Sequence, residues 1–124
     1  MTEIAERLTR AFDTLDADAF DTLYAQDATV WHSFDQLETD RAGAMKGVRQ
    51  FFGSLSALKC GDVRRLQTAD GFVQQHLLSG SFAAGGGFER LPVCLIVTTR
   101  GEHIVRIEEY IDPKAMFPRP PKPA

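Results

Sequence analysis

The sequence predicts an α+β fold in which helices dominate the first half and antiparallel strands the second. Over residues 4–24 and 47–58, apolar residues recur every three or four positions, which is the period of a helix. From residue 62 onward they alternate with polar residues, which is the period of a strand. An Asp70-Gly71 turn joins the first two of those strands into a hairpin. Helical and strand patterns segregated in this way are typical of an α+β domain.

Three helices are predicted from the helical pattern. The first carries the apolar stripe Ile4, Leu8, Phe12 and Leu15. The second begins after Asp16, a residue type that caps helix N-termini, and places Phe20, Leu23 and Tyr24 on one face. The third is predicted over Gly47 to Leu58, with Val48, Phe51, Phe52, Leu55 and Leu58 pointing inward. Residues 34–46 are polar, and we expect them to be irregular.

Five strands are predicted around these helices. The first is "DATVWHS", residues 27–33, and two more flank the Asp70-Gly71 turn within residues 62–82. The segment "AAGGG" turns the chain into a fourth strand, "FERLPVCLIVTT". Pro92 in that strand implies a bulge or a sheet edge, because proline cannot donate to a strand ladder. The fifth strand is "IVRIEEYID", and Asp112-Pro113 ends it.

Length and composition favour one domain. The chain has 124 residues, so we expect a single domain over residues 1–113 and a proline-rich tail over residues 114–124. Proline fixes φ and lacks a backbone donor, so the tail should be extended or disordered. The net charge of −3 argues against nucleic-acid binding, which needs a cluster of basic residues on one face.

The expected location is the cytoplasm. No apolar run approaches the roughly 20 residues that a membrane span requires, so we expect no membrane partner. The amphipathic N-terminus carries acids and does not resemble a signal peptide. Two cysteines, Cys60 and Cys94, are most simply explained as free thiols in a reducing compartment, although a disulfide is possible.

Polar side chains on apolar strand faces are the candidate functional residues. His32 shares a face with Val30, and Glu109 interrupts the apolar row of the last strand. Gln74 and His76 interrupt the row of the third strand in the same way. Because an unpaired buried charge is costly, these groups should find one another or line a cavity. We therefore predict His32, Glu109 and His76 as catalytic residues, with His32 and Glu109 within hydrogen-bond or one-water reach. The predicted ligand-binding residues are Val30, Gln74, Leu78, Phe52 and Ile107.

Other interpretations of the same residues remain open. Each histidine could be a satisfied core residue, and Gln74 a polar lining residue only. Two histidines and a carboxylate can form a metal triad, but these three come from separate strands without local ligand spacing. We therefore predict neither a metal nor a cofactor. No base is assigned to Cys94, which argues against a nucleophilic cysteine.

Apolar residues also alternate onto the opposite face of the predicted sheet. The predicted outer-face residues are Trp31, Val73, Leu77, Ile104 and Tyr110. A contiguous apolar patch of more than a few hundred Å² usually marks a contact surface. The sequence therefore predicts a homodimer through this face.

Two segments, "YAQDATVWH" and "IVRIEEYIDP", and the order of elements resemble the nuclear transport factor two-like superfamily. Within it, the chain is similar to the branch of ketosteroid isomerase, limonene epoxide hydrolase and the SnoaL-like polyketide cyclases. This resemblance covers residues 2–113 and implies a cone-shaped α+β barrel, a curved sheet around three helices with a deep apolar pocket. It also implies pairing through the sheet.

The resemblance assigns some roles and removes others. His32 takes the position of the isomerase's catalytic aspartate, whereas the isomerase's oxyanion tyrosine and aspartic acid fall at Leu8 and near Cys94. The epoxide hydrolase's arginine-x-aspartate falls at His76 and Leu78, and its second aspartate at Glu109. Neither relative's complete catalytic set is present.

Two functions follow from these patterns. The first is an acid–base enzyme, an isomerase, cyclase, hydratase or hydrolase, acting on a small apolar molecule that carries oxygen. His32 would be the base, and Glu109 would orient it or act as a second acid. The alternative is a non-catalytic module of the same fold that binds a small apolar ligand or dimerises, because the fold alone does not decide function.

Overall fold

Three helices pack against one face of a six-stranded sheet, as a computed structural model of residues 2–116 shows. The helices are α1 (Thr2–Asp13), α2 (Ala17–Leu23) and α3 (Arg41–Gly53). The strands are β1 (Tyr24–His32), β2 (Glu38–Asp40), β3 (Leu55–Thr68), β4 (Gly71–Phe82), β5 (Gly87–Arg100) and β6 (His103–Ile111). Their order across the sheet is β2-β1-β6-β5-β4-β3. All neighbours are antiparallel except β1 and β6, so the predicted α+β class is confirmed.

Side-chain caps and apolar stripes account for the helices. Ile4, Leu8 and Phe12 of α1 are buried against the sheet, as the stripe predicted. The Asp16 side chain accepts a hydrogen bond from the backbone N–H of Ala19 and caps α2. Asp40 caps α3 in the same way by accepting from Gly43. No described helix is long and apolar enough to cross a membrane.

The third helix lies earlier in the chain than the sequence pattern predicted. It begins at Arg41 and ends at Gly53, and β2 occupies part of the segment expected to be irregular. Residues 55–58 belong to β3 rather than to the helix. A register shift between Leu55 and Ala57 places two buried leucines three residues apart on one strand, and this spacing imitates a helical stripe.

A bulge in β6 changes the outer face of the sheet. Thr98 pairs with Arg106 and Thr99 with Ile104, so Val105 is the extra residue. The bulge reverses the alternation, and Ile104 is 0% exposed in the core. The prediction that Ile104 lies on the outer face is therefore wrong.

Pairing across the sheet defines two rows that the later sections use. The inner row is His32, Glu109, Leu95, Gln74 and Arg65. The outer row is Trp31, Glu108, Ile96, Val73 and Leu66. Because neighbouring residues in register share a face, each row lies on one side of the sheet.

Pro92, which was predicted to mark a bulge or a sheet edge, lies just beyond the part of β5 that pairs with β6. Pro92 pairs with Leu77 of β4, but the pairing of β5 with β6 begins only at Val93. The missing proline donor therefore leaves no gap in the ladder between β5 and β6. Cys94 pairs with Tyr110 and Gln75 on the outer face, and it is a free thiol, as is the buried Cys60.

After β6, the chain turns back toward the helices. Residues Pro113–Ala115 form a 3₁₀ turn capped by Asp112, which accepts from the backbone N–H of Lys114. Met116 is buried against the core. The remainder of the predicted proline-rich tail, residues 117–124, lies outside the described residues.

Candidate active site

A cavity of about 330 Å³ opens between α3, the ends of β1 and β6, and the turn at Pro113–Ala115. Its wall is mainly aliphatic and aromatic, as in most small-molecule sites. Four predicted ligand-binding residues line it, namely Val30, Leu78, Phe52 and Ile107. The lining also includes His32, Glu109, Tyr24, Phe34 and Leu95.

His32 and Glu109 meet in this wall. The parallel pairing of β1 with β6 sets the two residues in register, so both side chains enter the cavity side by side. His32 Nε2 lies 3.4 Å from Glu109 Oε1, which matches the expected reach. The side chains are 28% and 22% exposed, so both remain accessible to water and to a ligand.

Burial and the neighbouring His32 shift the pKa of Glu109 in opposite directions. Loss of hydration raises the pKa of its carboxyl, and the charge of His32 offsets part of that rise. A carboxyl with a raised pKa holds a proton more readily than an ordinary one, and an imidazole is the commonest general base in enzymes. The pair is therefore chemically competent for proton transfer.

Local contacts orient the pair. The backbone N–H of Ser33 donates to the carbonyl of Glu109 at 2.9 Å, and the Ser33 hydroxyl accepts from the N–H of Ile111 at 3.2 Å. The Phe34 ring lies 5.2 Å from the imidazole of His32 and also lines the cavity. These contacts tie the end of β1 to β6 and fix the position from which His32 projects.

Gln74 and His76 lie on the same inner face but do not line the cavity. Both are buried, and they form a sealed cluster with Arg65 and Thr9. Arg65 Nε donates to Gln74 Oε1 at 3.0 Å, and the Thr9 hydroxyl lies 3.3 Å from the same oxygen. Neither residue lines the cavity that holds His32 and Glu109, because Thr9 and Phe12 of α1 pack against them.

Hydrogen bonding in the sealed cluster fixes the state of His76. Since the Gln74 carbonyl is held by Arg65, its amide nitrogen faces His76 Nδ1 at 3.1 Å and must donate. The proton of a neutral His76 is then on Nε2, which has no hydrogen-bond partner among the described residues. Burial lowers the pKa of His76 to about 4, with Asp13 opposing and Arg65 reinforcing the shift.

The predicted set of two histidines and a carboxylate is thus divided between two places. Among the described residues, no group of three histidine, cysteine, aspartate or glutamate side chains is arranged to hold a metal ion. Two of the three predicted catalytic residues lie together at the cavity, and the third lies beneath α1.

A family model described as the SnoaL-like domain matches residues 5–107. The chain belongs to the SnoaL-like domain family. The match spans β1 and all of the sheet up to the middle of β6, so it includes the strand that carries His32. A search of curated protein sequences gave no significant match.

Solved structures of SnoaL-like form share the fold at low identity. A protein of Catenulispora acidiphila with a ketosteroid isomerase-like fold, in complex with trimethylamine, has a TM-score of 0.78 and 18% identity over 92% of this chain and 88% of its own. A candidate polyketide cyclase of Xanthomonas campestris pv. campestris has a TM-score of 0.78 and 18% identity, covering 91% and 90%. The candidate polyketide cyclase IdmH of Streptomyces antibioticus has a TM-score of 0.75 and 22% identity, covering 93% and 94%. At these identities the similarity establishes the fold.

The sequence analysis did not predict Tyr24 or Thr39 as residues of the SnoaL-like cavity, although both line it. Tyr24 lines the wall, and its ring packs on Phe20 with centroids 5.4 Å apart. Burial raises the pKa of its hydroxyl, and the charges of Glu109 and Asp21 raise it further. In the sequence, Tyr24 continues the apolar face of α2, and no local pattern separates it from a core residue.

Proposed function

We propose that this SnoaL-like domain catalyses proton transfer on a small apolar molecule that carries oxygen, in an isomerisation, a cyclisation, a hydration or a hydrolysis. The observation that supports it is the 3.4 Å approach of His32 Nε2 to Glu109 Oε1 in an otherwise mainly apolar cavity. Ionisable groups with perturbed pKa values in such a cavity are typical of active sites.

In the proposed reaction, neutral His32 removes a proton from the substrate and Glu109 stabilises the imidazolium that forms. The same pair can return the proton to another atom of the substrate, as isomerisation and cyclisation require. A proton transfer of this kind contributes about 10²–10⁴-fold in rate. The apolar wall supports this role, because a partly desolvated base is not weakened by strong hydration.

The size and form of the cavity support the substrate class. A volume of about 330 Å³ lies at the lower end of the roughly 300–1,000 Å³ typical of ligand pockets, so it suits a small molecule. Proteins of similar fold are described as candidate polyketide cyclases and as a candidate isomerase. Cyclisation of a polyketide moves a proton next to a carbonyl group, for which a histidine–carboxylate pair is suited.

A generic probe tests this proposal without knowledge of the natural substrate. In 5-nitrobenzisoxazole a base removes the ring C–H, its electrons form a nitrile, and the N–O bond breaks to give a coloured phenolate. We expect His32→Ala to lower the rate by about 10²–10⁴-fold. His103→Ala is the matched control, because His103 is exposed at the start of β6. A wild-type rate no higher than that of equimolar free imidazole contradicts the proposal.

The alternative is a binding module, and the aromatic wall favours it. The cavity rings include Phe20, Phe51 and Phe52, and Glu109 supplies a carboxylate. Rings and a carboxylate together suit a small ammonium ion, and one protein of similar fold is in complex with trimethylamine. Calorimetric binding of trimethylammonium that Glu109→Gln abolishes, in a protein without turnover of the probe, would favour this function.

We also propose a homodimer through the outer face. Leu66 is 52% exposed and Ile96 37% exposed in the outer row, and Trp31 packs on Tyr110 with ring centroids 5.4 Å apart. Arg106, beside them, forms ion pairs with Glu38 and Glu108, which gives the apolar row a charged border. Sedimentation at micromolar concentration should give about twice 13.8 kDa, and Trp31→Glu should halve it. A monomeric wild type contradicts this proposal.

The free state of both cysteines supports a cytoplasmic location, because reducing compartments keep thiols unpaired. A fluorescent fusion with a periplasmic or secreted control would test that location.

A further inference from the structure

Two glycines of the third helix stand at the mouth of the cavity. Gly43 and Gly47 both line the cavity and are both exposed to solvent, so they border its opening. They are four residues apart in α3, which places them on one face of the helix. Phe34, which is 53% exposed, lines the cavity as well. The helical border of the opening therefore carries no side chain at these two positions.

Packing explains only the first of these glycines. A methyl group at Gly43 would overlap the hydroxyl of Thr39, so a larger residue does not fit there. At Gly47, a methyl group would meet no atom of the described residues within 4 Å. The φ of Gly47 is also outside the left-handed region that favours glycine. Neither close packing nor backbone conformation therefore requires a glycine at position 47.

The glycine at position 47 has a cost in stability. Gly47 lies at the midpoint of α3 (Arg41–Gly53). Glycine inside a helix is less favourable than alanine, because its backbone loses more freedom on folding. No described residue fills the space that the missing side chain leaves, whereas a molecule that passes through the mouth would use it.

We propose that Gly47 keeps the mouth open for an elongated molecule, whose reacting end lies against His32 and Glu109 and whose other end extends past Gly47 to solvent. The cavity supports this ligand class, because a molecule longer than its volume of about 330 Å³ allows must leave through the mouth. A helical side chain leans over the preceding turn, so a side chain at position 47 would also cover the space above Gly43. The inference rests on the proposed function only for the position of the reacting end.

A pair of alcohols that differ only in length tests the proposal. Benzyl alcohol and 6-phenylhexan-1-ol share a ring and a hydroxyl, and the second has the longer alkyl chain. We expect Gly47→Leu to weaken the binding of 6-phenylhexan-1-ol at least about tenfold and to change that of benzyl alcohol less than about twofold, because only the longer probe passes the mouth. Titrations followed by amide chemical shifts measure both dissociation constants.

Gly53→Leu is the matched control and should change neither dissociation constant by more than about twofold. Gly53 is the last residue of the same helix, has the same open space beside it and does not line the cavity.

Melting temperatures and the wild-type spectrum keep the test independent of a folding defect in the leucine variant. Gly47→Ala should raise the melting temperature by about 2–4 °C, because no neighbour has to move. In wild type, 6-phenylhexan-1-ol should shift the amide resonance of Gly47 and leave that of Gly53 unchanged. A lower melting temperature for Gly47→Ala, an unshifted Gly47 amide, no binding of the longer probe, or equal losses for both probes in Gly47→Leu overturns the inference.

The same measurements separate this inference from the proposed function. If Gly47→Leu leaves the binding of 6-phenylhexan-1-ol unchanged while His32→Ala still abolishes turnover of 5-nitrobenzisoxazole, only the inference fails. If the selection by length holds in a protein that does not turn over 5-nitrobenzisoxazole, only the proposed function fails.

Discussion

The inner row of the sheet carries two polar groups that one residue, Leu95, separates. On one side is the pair His32–Glu109, and on the other is the sealed cluster around Gln74 and His76. Adjacent strands lie about 4.8 Å apart, so the backbones of Glu109 and Gln74 are about 10 Å apart. Two groups of polar side chains, each with one histidine, thus lie on the same face of the same sheet.

The two sites differ in hydrogen bonding and in access to water. Arg65 and Thr9 saturate the Gln74 carbonyl, and the Gln74 amide in turn fixes one tautomer of His76. The His32 and Glu109 side chains approach each other at 3.4 Å and remain partly exposed. A buried cluster in which several hydrogen bonds converge on one amide specifies structure, whereas a partly exposed pair at a cavity retains the freedom to exchange a proton.

The largest expected effect is on the sealed cluster. Gln74→Leu should lower the free energy of unfolding by about 2–3 kcal/mol, because it removes the hydrogen-bond partner of Arg65 Nε and of His76 Nδ1. Chemical denaturation measures this loss. Gln75→Leu is the matched control on the exposed side of the same strand and should change stability by less than about 0.5 kcal/mol. Equal losses in both variants would contradict the proposed role of the network.

A smaller effect should appear as a pH dependence of stability. The pKa of His76 is about 4 in the folded chain, against 6.5 for the ordinary side chain, so the unfolded chain binds the proton first as the pH falls. Stability should therefore be complete above pH 7 and fall by about 2 kcal/mol from this group by pH 5.

Thermal melts of wild type and His76→Phe between pH 7.5 and 5 measure this contribution. The His76→Phe variant should lose the part of the slope that His76 supplies, whereas the His103→Ala control should keep it. A wild-type melting temperature that rises toward pH 5 would contradict the assigned pKa.

The smallest effect on stability is expected at the cavity pair. Because burial raises the pKa of Glu109, the ionised carboxylate costs folding free energy at neutral pH. Glu109→Gln should therefore change the free energy of unfolding by less than about 1 kcal/mol, or increase it, while lowering probe turnover. Glu108→Gln, on the outer face, is the control for turnover. A loss as large as that of Gln74→Leu would place Glu109 among the structural residues.

Alternation of apolar and polar residues along single strands was enough to predict which residues of the two polar sites face inward. The period of two along β4 identified Gln74 and His76 as buried, and the same period along β6 identified Glu109 as inward-facing. These predictions depend on one strand at a time, so local sequence is sufficient. That His32 faces Glu109 depends additionally on the parallel pairing of β1 with β6, which only the structure shows.

The division between the two polar sites could not be predicted in the same way. Arg65 and Thr9 lie on β3 and α1, and their meeting with Gln74 depends on how a helix docks on a distant strand. Ile104 was assigned to the wrong face because the sequence gives no sign that Val105 is a bulge residue. The bulge is visible only in the pairing of β6 with β5. Tyr24 was missed because its hydroxyl is distinguished from a core residue only by the cavity beside it.

The parallel pairing of β1 with β6 also has a consequence for the newly made protein. Strand β1 is synthesised early, but Ser33 and Ile111, which bond across the two strands, are 78 residues apart in the chain. At about 5–20 residues per second, the ribosome needs several seconds to supply the partner of β1. His32 therefore has no carboxylate beside it until almost the whole sheet has been made. A chain released before β6 would carry the cavity helices and the histidine without any proton-transfer pair.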